Sequence, residues 1–324
     1  SAAKSMKMVL YQKVTTFKKT EVLSNWSGTG EGIELVFPMM FAAQDMIVVN
    51  FDPLGLGENA EPFTYIHSEI EANQSIDVVR AAREFCDQKS VDYQKELYLY
   101  GFSAGAHACM AMAKRVANDE NLKKHFPIAQ MVLGAGPYDL SGEMVSRVFA
   151  YPHANYWGCG NNILLLIAAA QHSGYKMYDK PSDIFRSSYD SLYTHYVENL
   201  NGEMKEHLPT RWQTIFRPEV VADFQKNQNH PLRKFLKEND LYDWYNPFPT
   251  IFYYGEYDEE VPYQCSLKAH AAQRKHLLFH GKDLGQLKIQ RISKEGWVWL
   301  PFHQNHRALA ISCAKKAIKV FEKS

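Results

Sequence analysis

Leu97-Tyr98-Leu99-Tyr100-Gly101-Phe102-Ser103-Ala104-Gly105 runs from a short apolar and aromatic stretch, through a serine between two glycines, into a segment rich in alanine and methionine that continues to Ala117. The first four residues suit a β-strand and the last segment a helix. Gly101 to Gly105 match G-x-S-x-G, a pattern that occurs often by chance and carries weight only in a strand-turn-helix setting. That setting is met here. The serine then stands on a sharp turn, and the glycines two before and two after it let strand and helix approach closely. The competing reading is a Gly/Ser turn that merely joins the two elements.

Outward from this stretch, strand and helix alternate on both sides. Upstream, Val22 to Trp26 reads as a strand, Ser27 to Gly32 as a glycine-rich turn and Ile33 to Gln44 as a helix interrupted by Pro38. Met46 to Phe51 is a nearly continuous apolar run, as expected of a strand buried on both faces. Ser68 and Glu71 form a capping-box pair opening a helix to about Gln88. Downstream, Ala129 to Leu133 reads as a strand, after which the rhythm stops near Asp139. It resumes with a strand at Thr250 to Tyr254, a helix at about Tyr263 to Arg274, a strand at Leu287 to Ile292 and a helix at Arg307 to Glu322. The expectation is an α/β fold with a mostly parallel sheet, formed by residues 1–140 and 247–324 and interrupted by a helical insertion, residues 141–246. The insertion is rich in rings, among them Tyr178, Phe185, Tyr193, Trp212, Phe216 and Phe224, most of which are expected to form its own core.

Composition narrows the function classes. The 36 basic and 36 acidic residues among 324 cancel, so counterion release on a nucleic acid or attraction to an anionic membrane surface has no basis here. The longest apolar run, Ile163 to Ala170, is less than half of a membrane span, and a soluble chain is expected. Ser1 to Lys7 lacks the apolar core of an uncleaved signal peptide. The compartment stays open between secreted or periplasmic after cleavage and cytoplasmic, and oligomeric state is not encoded legibly. Five scattered cysteines without a C-x-x-C pair argue against a disulfide framework or a structural zinc site.

A serine hydroxyl needs a base, and the base an orienting carboxylate. Asp258 lies in Gly255-Glu256-Tyr257-Asp258-Glu259-Glu260, just after a strand, and is the expected acid; Glu256, Glu259 and Glu260 read as solvated loop charges, with one of them as the acid a minor alternative. Asp139, after the preceding strand, reads as a cap of a turn or helix. His303 and His306 both stand between the last strand and the last helix, and His306, at the start of the amphipathic run, is preferred as the base. An oxyanion hole needs two backbone donors: the N–H of Ala104 is one, and the Gly28–Thr29 turn is the expected source of the other.

The chain resembles the α/β-hydrolase superfamily, and within it the secretory-lipase-like and bacterial esterase branch. The resemblance is carried by Asp52 to Gly57, Tyr65-Ile66-His67, Asp77 to Arg83, Gly101 to Gly105, Gly136 to Gly142, Gly255 to Tyr263 and His306, spread in order over the chain from about residue 20. It implies a Ser103–Asp258–His306 triad beneath a helical lid over an acyl-binding pocket, a small-molecule ester as substrate, and no metal or organic cofactor. Three departures stand out. Ser27-Gly28 replaces the branch's His-Gly pair, the part before it is short, and Phe102 and Ala104 flank the serine where the branch has Tyr and Gln. The first two departures motivate the rival reading, a hydrolase-fold protein that binds a small ligand without turning it over, whereas backbone chemistry tolerates the third; a serine peptidase would use the same triad.

Overall fold

Met6–Gln12 forms the first strand, β1, and its run Met8 to Tyr11 is entirely buried. The computed structural model describes residues 5–25, 35–150, 157–202, 204–209, 211–293 and 305–324. The further strands are β2 (Ile47–Val49), β3 (Tyr93–Phe102), β4 (Ile128–Gly134), β5 (Thr250–Tyr254) and β6 (Leu287–Arg291). They lie in the order β2-β1-β3-β4-β5-β6, every pair parallel. The expectation of a strand at Val22 to Trp26 is corrected: Leu23–Asn25 is a single 3-10 turn closed by Asn25 N–H on the Val22 carbonyl. A strand paired on both edges needs an unbroken apolar run, which Met8 to Tyr11 supplies and Ser24-Asn25 breaks.

The principal helices are α1 (Val36–Ala42), α2 (Ser68–Gln88), α3 (Ala104–Ala117), α4 (Glu120–His125), α5 (Val145–Ala150), α6 (Trp157–His172), α7 (Tyr189–Tyr193), α8 (Pro218–Lys226), α9 (Pro231–Glu238), α10 (Gln264–Phe279) and α11 (Asn305–Lys323). Alternation along β3 explains how they layer. Leu97 and Leu99 face a core shared with Ile76 and Val79 of α2, Met110 of α3 and Leu277 of α10. Tyr98 and Tyr100 face the other, with Phe37 and Phe41 of α1 and Cys313 and Phe321 of α11. The Tyr100 ring packs 5.0 Å from Phe41 and 5.9 Å from Tyr11. Two layers of helices thus sandwich one sheet, as its nearly all-apolar strands require.

No sheet strand occurs between β4 and β5 among the described residues. The helices there close over a third apolar cluster that includes Leu164, Phe185, Tyr193, Phe216 and Phe235. Tyr178, Phe185, Tyr193 and Phe216 are buried in it, so these rings do build a core. Ala104, Leu56 and Ile66 from the sheet side belong to the same cluster. The expected capping box is also corrected. His67 caps α2 by accepting from Ile70 N–H, while the Ser68 hydroxyl donates to Asn239 and Glu71 turns to His107. None of the described helices is long and apolar enough to cross a membrane. The four described cysteines, Cys86, Cys109, Cys265 and Cys313, are buried and free.

The glycines around Ser103 are dictated by backbone crowding. A Cβ on Gly101 would stand 2.2 Å from the Gly105 carbonyl oxygen, and one on Gly105 2.1 Å from the Gln12 carbonyl oxygen. No flexible side chain can move aside to relieve either clash. Gly105→Ala is therefore expected to lower the unfolding free energy by about 1–3 kcal/mol or more, read as a reduced midpoint in urea. An unchanged midpoint would show that β1 and α3 do not meet this closely.

Candidate active site

Ser103 stands where β3 ends and α3 begins, with φ 56° and ψ −126°. Such a conformation costs a non-glycine residue about 1–3 kcal/mol, and only surrounding structure holds it. Here the Ser103 N–H donates to the Gly134 carbonyl at the end of β4 (2.8 Å), and its carbonyl accepts from Ala106 and His107 to start the helix. Ala104 is the first helical residue, so its N–H has no intrahelical acceptor and points from the positive end of α3. The sequence-derived elbow is thus present in its full strand-turn-helix form.

The second expected donor pair, Gly28 and Thr29, lies outside the described residues. The backbone that does flank the elbow is the segment after β1. Gln12 is in register with Gly101, and the Gln12 and Lys13 carbonyls crowd Gly105, so the chain leaving β1 passes against the first turn of α3.

Asp258 and His306 are brought together. His306 Nδ1 lies 2.7 Å from Asp258 Oδ2, and both side chains are buried. The other carboxylate oxygen, Oδ1, accepts the N–H groups of Glu260 and Val261, each at 2.9 Å. These bonds fix the carboxylate, which in turn fixes the ring, with Nδ1–H toward Asp258. The imidazole packs 4.7 Å from the Phe102 ring, the residue before the serine. Among the described residues its buried Nε2 has no hydrogen-bond partner, and no hydrogen bond joins it to Ser103. His303, the rival base, lies outside the described residues.

Two neighbours expected to be solvated charges are instead engaged with His306. Glu259 is half-buried, and its carboxylate accepts the His306 backbone N–H (3.2 Å), capping the first turn of α11. Burial pushes its carboxyl above the usual range. Glu260 Oε2 lies 3.8 Å from His306 Nε2. Nothing in the Glu-Glu pair directly after Asp258 distinguishes these residues from surface charges, because the contact is made by a helix start distant in sequence. Asp139 behaves as expected of a cap: its Oδ2 accepts from Glu143 N–H and pairs with Lys268 (2.5 Å). It is committed to joining the chain after β4 to α10.

Other histidines take structural roles. His107, one turn beyond Ser103 and wholly buried, lies 2.7 Å from Glu71 and 2.9 Å from the Asn239 carbonyl, tying α3 to α2 and to the end of α9. The third apolar cluster borders a half-open apolar pocket of about 110 Å³ lined by Leu140, Ile163, Trp212, Phe216, Phe224 and Leu236 among others. Leu140 and Ala104 share that cluster, which links the cavity wall to the elbow helix.

No family model matches this chain, and no curated protein sequence does. Solved structures do. A structure described as a putative hydrolase from Legionella pneumophila superimposes with a TM-score of 0.82 at 20% identity, covering 99% of this chain and 80% of that one. The rice cell wall degrading esterase LipA from Xanthomonas oryzae gives 0.80 at 22% identity, covering 98% and 81%. Candida antarctica lipase A gives 0.66 at 14% identity, covering 97% and 79%. The chain has the α/β-hydrolase fold.

Burial works against charging the His306 ring, but Asp258, Glu260 and Glu259 outweigh it and raise the group from 6.5 to about 9. A base with a raised folded-state pKa contributes stability that is complete below pH 6.5 and lost as pH climbs through about 9. The stability difference between the wild type and His306→Gln should accordingly be largest near pH 6 and shrink by roughly 2–3 kcal/mol by pH 10. Denaturant titrations of both proteins across that range test it. A constant difference would mean that the ring is not charged in the folded state.

Proposed function

We propose that the protein is a serine hydrolase acting on carboxylic esters. The observation that carries this reading is the Asp258–His306 pair, buried against Phe102 beside a serine held in a left-handed turn. Ser103 Oγ attacks the acyl carbon and gives its proton to His306 Nε2. The tetrahedral oxyanion is met by the Ala104 N–H and a backbone donor from residues 13–15. As the intermediate collapses, Nε2–H protonates the leaving alcohol. Water then attacks the acyl-enzyme by the same route and releases the acid. Asp258 keeps the ring in its working tautomer and offsets its charge throughout. The empty Nε2 fits a base awaiting substrate, because hydrogen bonds between nucleophile and base often tighten only in the complex.

The helices of residues 141–246 act in this reading as a lid, and the apolar cavity beneath them takes the acyl group. Its volume, about 110 Å³, and its apolar lining suit the alkyl part of an ester. The esterase LipA and the lipase with related folds support ester chemistry over peptide cleavage. A binding protein without turnover is the second reading, favoured by the single fact that Nε2 and Ser103 are not hydrogen-bonded.

Ser103→Ala should fold normally and lose about 10⁴- to 10⁶-fold in kcat on p-nitrophenyl acetate, and Asp258→Asn about 10⁴-fold. Turnover surviving in Ser103→Ala would refute the mechanism, and a wild type without turnover would favour the binding protein. Filling the cavity with Val221→Phe should reduce kcat/KM on the butyrate ester at least about tenfold while sparing the acetate. Equal effects on both esters would remove the cavity from the substrate path.

A further inference from the structure

The proton that must leave His306 Nε2 before catalysis has a second carboxylate beside it. Among the described residues, the charged and titratable groups facing the ring come from several elements. Asp258 bonds Nδ1, Glu259 takes the backbone N–H, and Glu260 lies 3.8 Å from Nε2. On the helix of the base itself, Cys313 is buried within the electrostatic reach of Asp258. From the chain before α2, buried Tyr65 senses Glu260 and shares a hydrogen bond with Thr15. Phe102 covers the ring.

We infer that Glu260 gates the base: as a positioning residue acting through His306, its carboxylate, 3.8 Å from Nε2, holds the proton on that nitrogen and so withholds the base from Ser103. The inference rests on the proposed roles of Ser103 and His306. At 3.8 Å the contact is Coulombic and does not lock the ring as a hydrogen bond would. Nε2 is buried and, among the described residues, otherwise unpartnered, so Glu260 is the described group that supports a charge on that side. With Asp258 on Nδ1, the ring lies between two carboxylates, and both favour its charged form.

Glu260 then acts twice. In the resting enzyme it favours the protonated ring, which cannot accept the Ser103 proton, and so suppresses activity at and below neutral pH. Once the ring has lost that proton, Ser103 Oγ can pass its own proton to Nε2 as the Oγ–acyl bond forms. The same carboxylate now faces the new imidazolium and favours the tetrahedral intermediate. A neutral side chain of equal size should therefore help at low pH and hurt at high pH.

The test is the pH profile of kcat/KM on p-nitrophenyl acetate for the wild type, Glu260→Gln and Glu260→Ala. The wild-type acid limb should fall well above the ordinary histidine value of about 6.5. In Glu260→Gln it should move down by about one unit, raising activity near pH 6 about tenfold relative to the plateau. The plateau itself should drop, so that the profiles cross. A merely structural residue would scale the whole profile without moving its limb. Superimposable limbs overturn the inference, as does a wild-type limb at or below 6.5, which needs no variant to fold. These outcomes are separate from failure of the mechanism: turnover persisting in Ser103→Ala removes the nucleophile, whereas a serine-dependent enzyme with an unmoved limb removes only the gate.

Discussion

The approach of the Gln12 carbonyl to the first turn of α3 is the constraint from which the site follows. At 2.1 Å from where a side chain would begin on Gly105, it leaves room for nothing but glycine there. That contact, with the Gly134 carbonyl accepting the Ser103 N–H, clamps the turn between the ends of β1 and β4. The left-handed conformation of Ser103 is unfavourable alone, and the two neighbouring strands supply what holds it. Sheet order matters for the same reason. With β3 between β1 and β4, backbone crowds the turn from the β1 side and anchors it from the β4 side.

The opposite wall is electrostatic. Three consecutive acidic residues follow the turn after β5, and each engages the histidine differently: Asp258 on Nδ1, Glu259 on the main chain and Glu260 near Nε2. The ring is buried, and burial alone would keep it neutral. The carboxylates reverse that balance. Orientation and charge are therefore separable, since Asp258 is tied by two backbone N–H groups whereas Glu260 is not seen to be.

Much of this was legible in the sequence, and what was not has physical causes. The elbow announced itself because close packing admits only glycine at 101 and 105, and because β3 and α3 have clean periods of two and 3.6. Asp258 and His306 could be chosen from their places after β5 and at the start of α11. The central strand Met6–Gln12 escaped because a fully buried strand lacks alternation; the expected oxyanion donors, Gly28 and Thr29, lie outside the described residues. Glu259 and Glu260 resembled surface charges because nothing in Glu-Glu reveals that a helix start will be laid against it. The capping box at Ser68 failed for a tertiary reason: Asn239 and His107, distant in sequence, took both of its members.

The central claim is that the hydroxyl at position 103 is chemically activated by the paired imidazole. Its most direct measurement is reaction of the native protein with a fluorophosphonate, followed by mass spectrometry of the labelled peptide. The account predicts a single adduct on Ser103 that forms rapidly in the wild type and is absent from His306→Gln. A folded wild type that takes up no label, or takes it up equally fast without the imidazole, would contradict it.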